Sequence, residues 1–165
     1  MKPVPSMQIE IIEKKDYDYA QIQQLYNTVR VNMPFLARIF DFRKELKNEI
    51  VYETMLNNEV IAFMSLWEPD NFIHHLYILP EYQGRQIGQQ MINFLAGRYD
   101  EPLGLKCLTQ NIQAVNFYKK IIFMKSTVEH RKMENISTLN SLLKKLTYEV
   151  DELKPVLKKN TYLCI

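Results

Sequence analysis

The spacing of apolar and polar residues changes from one segment of the chain to the next. At the start, every second position is apolar, which predicts a first β-strand at Met7, Ile9 and Ile11. Between Asp18 and Val31 the spacing becomes helical, and Asp16 or Asp18 can cap the start of this helix. Its apolar face consists of Ile22, Leu25, Tyr26 and Val29. A second helix is predicted over residues 35–46, with Pro34 near its first turn.

The middle of the chain predicts a mixed sheet. Segments 50–56, 60–67 and 72–79 have strand-like composition, and Asn57-Asn58-Glu59 between the first two favours a hairpin. The remaining predicted elements are a helix over 88–99, a strand over 103–108, a helix over 113–121 and a strand over 123–131. This order of strands and helices predicts an α/β (α+β) fold in which helices cover a mixed sheet.

The carboxy-terminal segment predicts an additional helix over residues 136–153, because apolar residues recur there at intervals of four and three. Ser137 or Thr138 can cap this helix, and Pro155 ends it. The apolar seam consists of Leu139, Leu143, Leu146, Val150 and Leu153. It is too short for a free coiled coil, so either the protein's own sheet or a partner subunit must cover it. We favour a homodimer through this helix, followed by a terminal strand at 161–165.

Composition and charge exclude several classes of protein. The chain has 165 residues, 47% hydrophobic and 24% charged, as expected for a globular domain at 1–134 and an appended segment at 135–165. The net charge is +2, and residues 1–134 carry equal numbers of acidic and basic residues, which argues against a nucleic-acid partner. No apolar run is long enough to span a membrane or to resemble a signal peptide. With only two cysteines, Cys107 and Cys164, we expect neither disulfides nor a metal site, and a cytoplasmic location.

The segment after the third strand of the middle region carries the clearest chemical signal. It runs from Pro80 to Gly88, contains two of the four glycines, Gly84 and Gly88, and leads directly into a helix. A glycine-containing turn at a helix start exposes backbone N–H groups beside the positive end of the helix dipole, which suits phosphate oxygens. Arg85 can add a charge-assisted contact. On glycine spacing alone, a simple strand-to-helix turn is the favoured interpretation of the segment.

Two longer motifs carry a resemblance to a known family. The first is Ile73-His74-His75-Leu76-Tyr77-Ile78-Leu79-Pro80-Glu81-Tyr82-Gln83-Gly84-Arg85-Gln86-Ile87-Gly88. The second is Asn111-Ile112-Gln113-Ala114-Val115-Asn116-Phe117-Tyr118-Lys119-Lys120-Ile121-Ile122-Phe123. In this order and spacing they resemble the acetyl-CoA-binding motifs of the GNAT superfamily of N-acetyltransferases. The resemblance covers residues 6 to 133 and implies a mostly antiparallel central sheet flanked by helices.

The chain departs from the family pattern at two positions. Gln86 replaces the middle glycine of the phosphate loop, and Ile122 replaces the glycine before Phe123. If either position has a positive φ, a side chain there costs roughly 1–2 kcal/mol.

The resemblance implies that acetyl-CoA is the co-substrate and identifies the residues that bind it. A main-chain N–H within residues 76–78 would face the thioester carbonyl, the loop would bind the pyrophosphate, and Asn111 would contact the cofactor arm or cap its helix. The implied binding residues are Leu76, Tyr77, Ile78, Gln83, Gly84, Arg85, Gln86, Ile87, Gly88, Asn111 and Tyr118.

The same resemblance implies acetyl transfer to a primary amine, with Tyr118 as the general acid for the leaving sulfur. The general base is open between His74 and Glu68; His74 and His75 point to opposite faces of their strand, so one of them should face the reaction channel. The acceptor is a small-molecule amine or a peptide or protein amine. The alternative function is a non-catalytic acyl-CoA-binding or protein-interaction module of the same fold.

Overall fold

The computed structural model describes residues 8–101, 103–108, 110–121 and 146–151, and its described strands form one six-stranded sheet. The strands are β1 (Glu10–Lys14), β2 (Ile50–Leu56), β3 (Glu59–Trp67), β4 (Phe72–Ile78), β5 (Leu103–Leu108) and β6 (Leu146–Asp151). Their order in the sheet follows the chain; β1 to β4 pair antiparallel, whereas β4 with β5 and β5 with β6 pair parallel. The predicted mixed, mostly antiparallel sheet is confirmed.

Helices cover both faces of this sheet. They are α1 (Tyr19–Val31), α2 (Phe42–Glu45), α3 (Ile87–Ala96) and α4 (residues 112–121). The apolar side chains of α1 and α2 form one core with Val51, Phe63 and Tyr77, while α3 and α4 form the other core with β4 and β5. The fold is therefore a three-layer arrangement in which each helical layer buries apolar side chains against one face of the sheet.

Helix α1 begins where the sequence predicts. Asp18 is its N-cap, and its Oδ1 accepts hydrogen bonds from the backbone N–H groups of Ala20 at 2.8 Å and of Gln21 at 3.4 Å. The four predicted apolar positions, Ile22, Leu25, Tyr26 and Val29, are all buried. The first strand, in contrast, begins at Glu10 rather than at Met7, which lies outside the described residues.

The predicted second helix over 35–46 is wrong except at Phe42–Glu45, where Asp41 is the cap. Side chains of α1 reach the carbonyl groups that a longer helix would use. Tyr26 Oη donates to Ala37 O at 2.5 Å, and Arg30 Nε donates to Leu36 O at 2.9 Å. Because these acceptors are satisfied from α1, the segment before Phe42 stays irregular.

The predicted carboxy-terminal helix is wrong over residues 146–151, which form β6 and pair with all six residues of β5. The sequence there, Leu-Thr-Tyr-Glu-Val-Asp, alternates apolar and polar residues, as a strand does. Leu146 and Val150 fit a strand as well as a heptad, since four is an even interval. The homodimer through this segment stays a prediction, although residues 146–151 of the seam form a strand and not a helix. The rest of the predicted helix, the strand at 123–131 and the terminal strand at 161–165 lie outside the described residues.

The hairpin between β2 and β3 turns at two asparagines, as predicted. Asn57 has a φ of 50° and Asn58 a φ of 66°, the pair of positive values that a type I′ turn requires. We expect Asn58→Gly to raise the free energy of unfolding by about 0.5–1 kcal/mol, because glycine adopts this backbone without steric cost. Chemical denaturation measures the change, and an unchanged or lower stability would contradict it.

Candidate active site

The site is built on a bulge in β4. Ser65 pairs with His75 and the next residue, Leu66, pairs with Ile73, so His74 is an extra residue without a partner position on β3. A bulge of this kind bends its strand and increases the local twist. The bend occurs at His74, the residue that the sequence analysis gives as a candidate base.

Strands β4 and β5 separate just past this bulge. Their parallel pairing is limited to Phe72 with Gly104 and Ile73 with Leu105, although β4 continues to Ile78 and β5 to Leu108. Where the two strands pair, the Phe72 ring packs directly against Gly104. A Cβ atom on Gly104 would lie only 2.8 Å from Phe72 Cδ2. Past Ile73 the two strands do not pair, so this edge of residues 74–78 faces an opening between parallel strands. The predicted main-chain donors, Leu76 to Ile78, lie along it.

The loop from β4 to α3 has the backbone of an anion site. Gly84 has a φ of 74° and Gln86 a φ of 64°, so two of three successive residues are left-handed. Gln86 is also the N-cap of α3, and no side chain of the described residues caps that helix. Backbone N–H groups of such turns and uncapped helix starts converge on anions. The glycine that the family motif places at position 86 therefore meets a positive φ here, and Gln86 adopts it at a steric cost.

Gly88 allows helix α3 to approach α4 closely. A Cβ atom at this position would lie 3.0 Å from Phe117 Cζ and 3.4 Å from Ile78 Cδ1. A larger residue would push the start of α3 away from the end of β4. The second glycine of the motif therefore serves packing, whereas Gly84 serves the turn.

Two predicted cofactor residues, Gln83 and Asn111, line one cavity of about 240 Å³ between the end of α1, the β4–α3 loop and the start of α4. Gln83 Nε2 donates to Ile78 O at 2.9 Å, which ties the loop to the end of β4. Asn111 Oδ1 accepts from Ala114 N at 3.1 Å, so Asn111 caps α4, one of its two predicted roles. Residues distant in sequence thus meet beside the β4–α3 loop.

Tyr118, the predicted acid, is 2% exposed and belongs to the apolar cluster between α3, α4 and the strands. Leu76 and Ile78 belong to the same cluster, as does Cys107 of β5. Burial raises the pKa of Cys107 to about 11, so this thiol is protonated and inert at physiological pH. The tyrosine therefore lies on the α3–α4 side of β4, together with the predicted main-chain donors.

His75 is a core residue. It is 2% exposed, its Nδ1 is joined to Ser65 Oγ by a hydrogen bond of 2.7 Å, and its ring lies among Phe42, Phe63 and Tyr77. Burial, and secondarily the nearby His74, lowers the pKa of His75 to about 3. It therefore stays neutral at physiological pH and is not the histidine that faces a reaction channel.

His74 is paired with a buried carboxylate that sequence analysis missed. Its Nδ1 donates to Glu49 Oε1 at 2.5 Å; the His74 side chain is 19% exposed and that of Glu49 only 4%. Asn48, with a φ of 66°, turns the chain between α2 and β2 and directs Glu49 inward. The pKa of neighbouring Glu45 is raised, mainly by burial. The nearby His74 opposes this shift, whereas the Glu49 carboxylate adds to it. No motif marks Glu49, because its partner is distant in sequence.

The remaining predicted residues lie apart from this pair. Glu68 is exposed in the single turn of 3₁₀ helix that follows β3, and the structure does not bring it to His74. Arg85 is exposed with its guanidinium 5.6 Å from the centre of the Tyr82 ring. The side chains of Tyr77 and Ile87 are buried in the two cores, so only their backbone groups can serve a ligand. Ile122 lies outside the described residues.

Within the described residues, no three His, Cys, Asp or Glu side chains cluster as metal ligands would. Over that same part of the chain, each helix is too short or too polar to cross a membrane.

Known proteins that resemble this chain in sequence or structure have the same kind of fold. The model of the family described as "Acetyltransferase (GNAT) family" matches residues 17–122. Among curated proteins, none matches the sequence.

Solved structures share the fold at low identity. The apo form of YjaB from Escherichia coli is 22% identical, with a TM-score of 0.54 over 70% of this chain and 82% of that one. A GNAT family acetyltransferase from Streptococcus pneumoniae TIGR4 is 18% identical, with a TM-score of 0.54 over 79% and 91%. A protein described as a possible acetyltransferase from Clostridium difficile 630 is 17% identical, with a TM-score of 0.55 over 92% and 98%.

The left-handed backbone at Gln86 predicts that substitution by glycine has opposite effects on stability at Gln86, the N-cap of α3, and at Gln90 within the helix. Gln86→Gly should raise the free energy of unfolding by about 1 kcal/mol, because it removes the steric cost of a positive φ. Gln90→Gly, within the same helix and also exposed, should lower it by about 1 kcal/mol, because glycine weakens a helix interior. Urea unfolding measures both; the same sign for the two variants would contradict the assignment.

The buried neutral His75 predicts acid sensitivity. The pKa of His75 is about 3 in the folded protein, against an ordinary value of 6.5 that applies to the unfolded chain. Between pH 6.5 and 3, therefore, only the unfolded chain binds a proton at His75. Stability should therefore fall as the pH drops from 6.5 towards 3, with this group contributing about 1.4 kcal/mol per pH unit. In His75→Asn the slope of the unfolding free energy against pH should be smaller over this range. Equal slopes for the two proteins would show that another group is responsible.

Proposed function

Because the chain belongs to the GNAT family of acetyltransferases, we propose that it transfers an acetyl group from acetyl-CoA to a primary amine. The observation that carries the proposal is the opening between β4 and β5, which begins at the bulge of His74 and ends at the loop with left-handed Gly84 and Gln86. A long ligand with an anionic end fits such a path. Its phosphates would meet the uncapped start of α3, and its far end would meet the main chain of residues 76–78.

Acetyl-CoA fits the residues present. Gly84 and Gln86 turn backbone N–H groups towards an anion, Gly88 keeps α3 close to β4, and Gln83 and Asn111 line the adjoining cavity. When bound, acetyl-CoA supplies an activated acetyl thioester. Backbone N–H groups on the open edge of β4 would stabilise the negative charge that develops on its carbonyl oxygen.

His74 would remove the proton of the amine. An alkylammonium ion has a pKa near 10 and holds no lone pair, so it must lose a proton before the nitrogen can attack the thioester carbonyl. Glu49 holds the Nδ1–H of His74, which leaves Nε2 as the acceptor and orients the ring. Glu49 thus acts as a positioning residue, and His74 replaces Glu68 as the preferred base.

Tyr118 would donate its phenolic proton to the sulfur as the C–S bond breaks. It belongs to the cluster on the α3–α4 side of β4, while His74 is held from the α2 side through Glu49. An acid and a base on opposite sides of one strand suit a thioester that enters from one side and an amine that enters from the other.

The test of this function is turnover of acetyl-CoA with a panel of primary amines. We expect Tyr118→Phe to lower kcat by at least tenfold and to leave acetyl-CoA affinity within about threefold, because a general acid acts mainly in the transition state. His74→Asn should lower kcat by a similar factor. Stopped-time thiol release measures kcat, and calorimetry measures binding.

The matched control is Tyr99→Phe, which removes a phenol that hydrogen-bonds Tyr52 at 3.1 Å, away from the opening. It should leave kcat unchanged. A loss below about threefold in Tyr118→Phe would remove Tyr118 from the acid role. Acetyl-CoA binding without acetylation of any amine would favour the alternative function, a non-catalytic acyl-CoA-binding module.

A further inference from the structure

A second cavity, of about 430 Å³, lies at the end of the sheet where β1 ends and β2 begins. Its volume falls within the range of roughly 300–1,000 Å³ that small-molecule sites occupy. The lining side chains that bear on its chemistry are Lys15, Tyr17, Tyr19, Arg43, Lys47 and Glu49. Glu49, whose carboxylate holds the proposed base, is therefore one of the residues that line this cavity.

Glu49 gives this cavity an acidic inner end. Its side chain is 96% buried, given the 4% exposure above, and only Oε1 is engaged, by His74. The second oxygen, Oε2, is buried and has no hydrogen-bond partner among the described residues. A buried carboxylate oxygen without a donor is costly, and an ammonium group carries three donors. An amine bound there would lie beside the histidine that takes its proton.

The outer part of the cavity is basic. Lys14 is paired with the buried Glu53 at 3.6 Å, and exposed Arg43 approaches Asp41 at 3.6 Å. Glu13, the second carboxylate of the lining, is paired with Arg98 at 3.6 Å. Lys15 and Lys47 are exposed and form no ion pair within the described part of the chain. Two uncompensated cations at the rim repel a polyamine and attract an anionic group.

Two tyrosines form a wall between these ends. Their rings meet edge to face with centroids 4.8 Å apart, and Tyr19 Oη donates to Tyr17 Oη at 3.5 Å. Arg43 lies over the Tyr19 ring at 5.5 Å. Burial raises the pKa of Tyr17, and Tyr19 and Glu49 raise it further, so the Tyr17 phenol is neutral at physiological pH.

We propose that this cavity binds the acceptor and that the acceptor is a primary amine that also carries a carboxylate or a phosphate. The proposal rests on the function proposed above. The amine contacts Glu49, whose Oε1 holds His74, and the anionic group contacts Lys47 and Lys15.

Matched acceptors test the proposal in the wild-type protein with saturating acetyl-CoA. The pairs are γ-aminobutyrate with butylamine, and 2-aminoethyl phosphate with ethanolamine; spermidine represents polyamines. We expect kcat/KM to be at least tenfold higher for one or both acceptors that carry the anionic group than for the partner that lacks it. The two pairs distinguish a carboxylate from a phosphate.

Charge reversal at the rim provides the second arm. Lys47→Glu should lower the ratio of kcat/KM within the preferred pair at least fivefold. Lys44→Glu is the matched control, because this exposed lysine lies on α2 and does not line the cavity. It makes the same change in charge and should leave the ratio unchanged. Equal effects of the two reversals would overturn the proposal.

The outcomes separate this inference from the proposed function. Acetylation of butylamine, ethanolamine or spermidine at rates equal to or above those of the anionic amines would uphold the transferase and overturn the acceptor class. If no amine is acetylated, calorimetry on the CoA-saturated protein measures whether the anionic amines bind, which tests the acceptor site without turnover. Saturable binding of γ-aminobutyrate or 2-aminoethyl phosphate, weakened at least fivefold by Glu49→Gln, supports the site; absence of binding overturns it.

Discussion

The extra residue in β4 is the constraint on which the rest of the site depends. Antiparallel pairing with β3 fixes β4 on one edge, and the single surplus position at His74 must be absorbed by a bend. Pairing with β5 stops at the residue just before it, Ile73. One local irregularity therefore opens the sheet, exposes an edge of backbone to a ligand, and presents an imidazole to the carboxylate of Glu49. A regular β4 would close the opening and return His74 to the alternation of the strand.

The sequence predicted what local spacing and turn chemistry determine. Asp18 caps α1, Asn57 and Asn58 turn the hairpin, and β2 and β5 have the predicted bounds. The motif residues Gln83 and Asn111 line the same cavity. The failures have a common cause, since each depends on a contact between distant segments.

Two such contacts show why spacing was insufficient. Residues before Phe42 are held by α1 side chains, so their helical spacing is overridden by tertiary hydrogen bonds. Leu146 and Val150 satisfy both a heptad and a strand, and only the available edge of β5 decides between them. Glu49 was missed for the same reason, because nothing near it in sequence indicates a buried histidine partner.

The topology of the sheet also bears on how the protein folds. Strands β2, β3 and β4 are joined by short connections, so their pairing closes only small loops. Pairing of β5 with β6 must instead close a loop that contains all of α4 and residues 122–145. The entropy of closing a loop rises with its length, and parallel pairing between distant segments forms slowly. The opening lies on the border between the quickly formed meander and the late parallel pairs, so we expect the chain to acquire its ligand site in the last steps of folding.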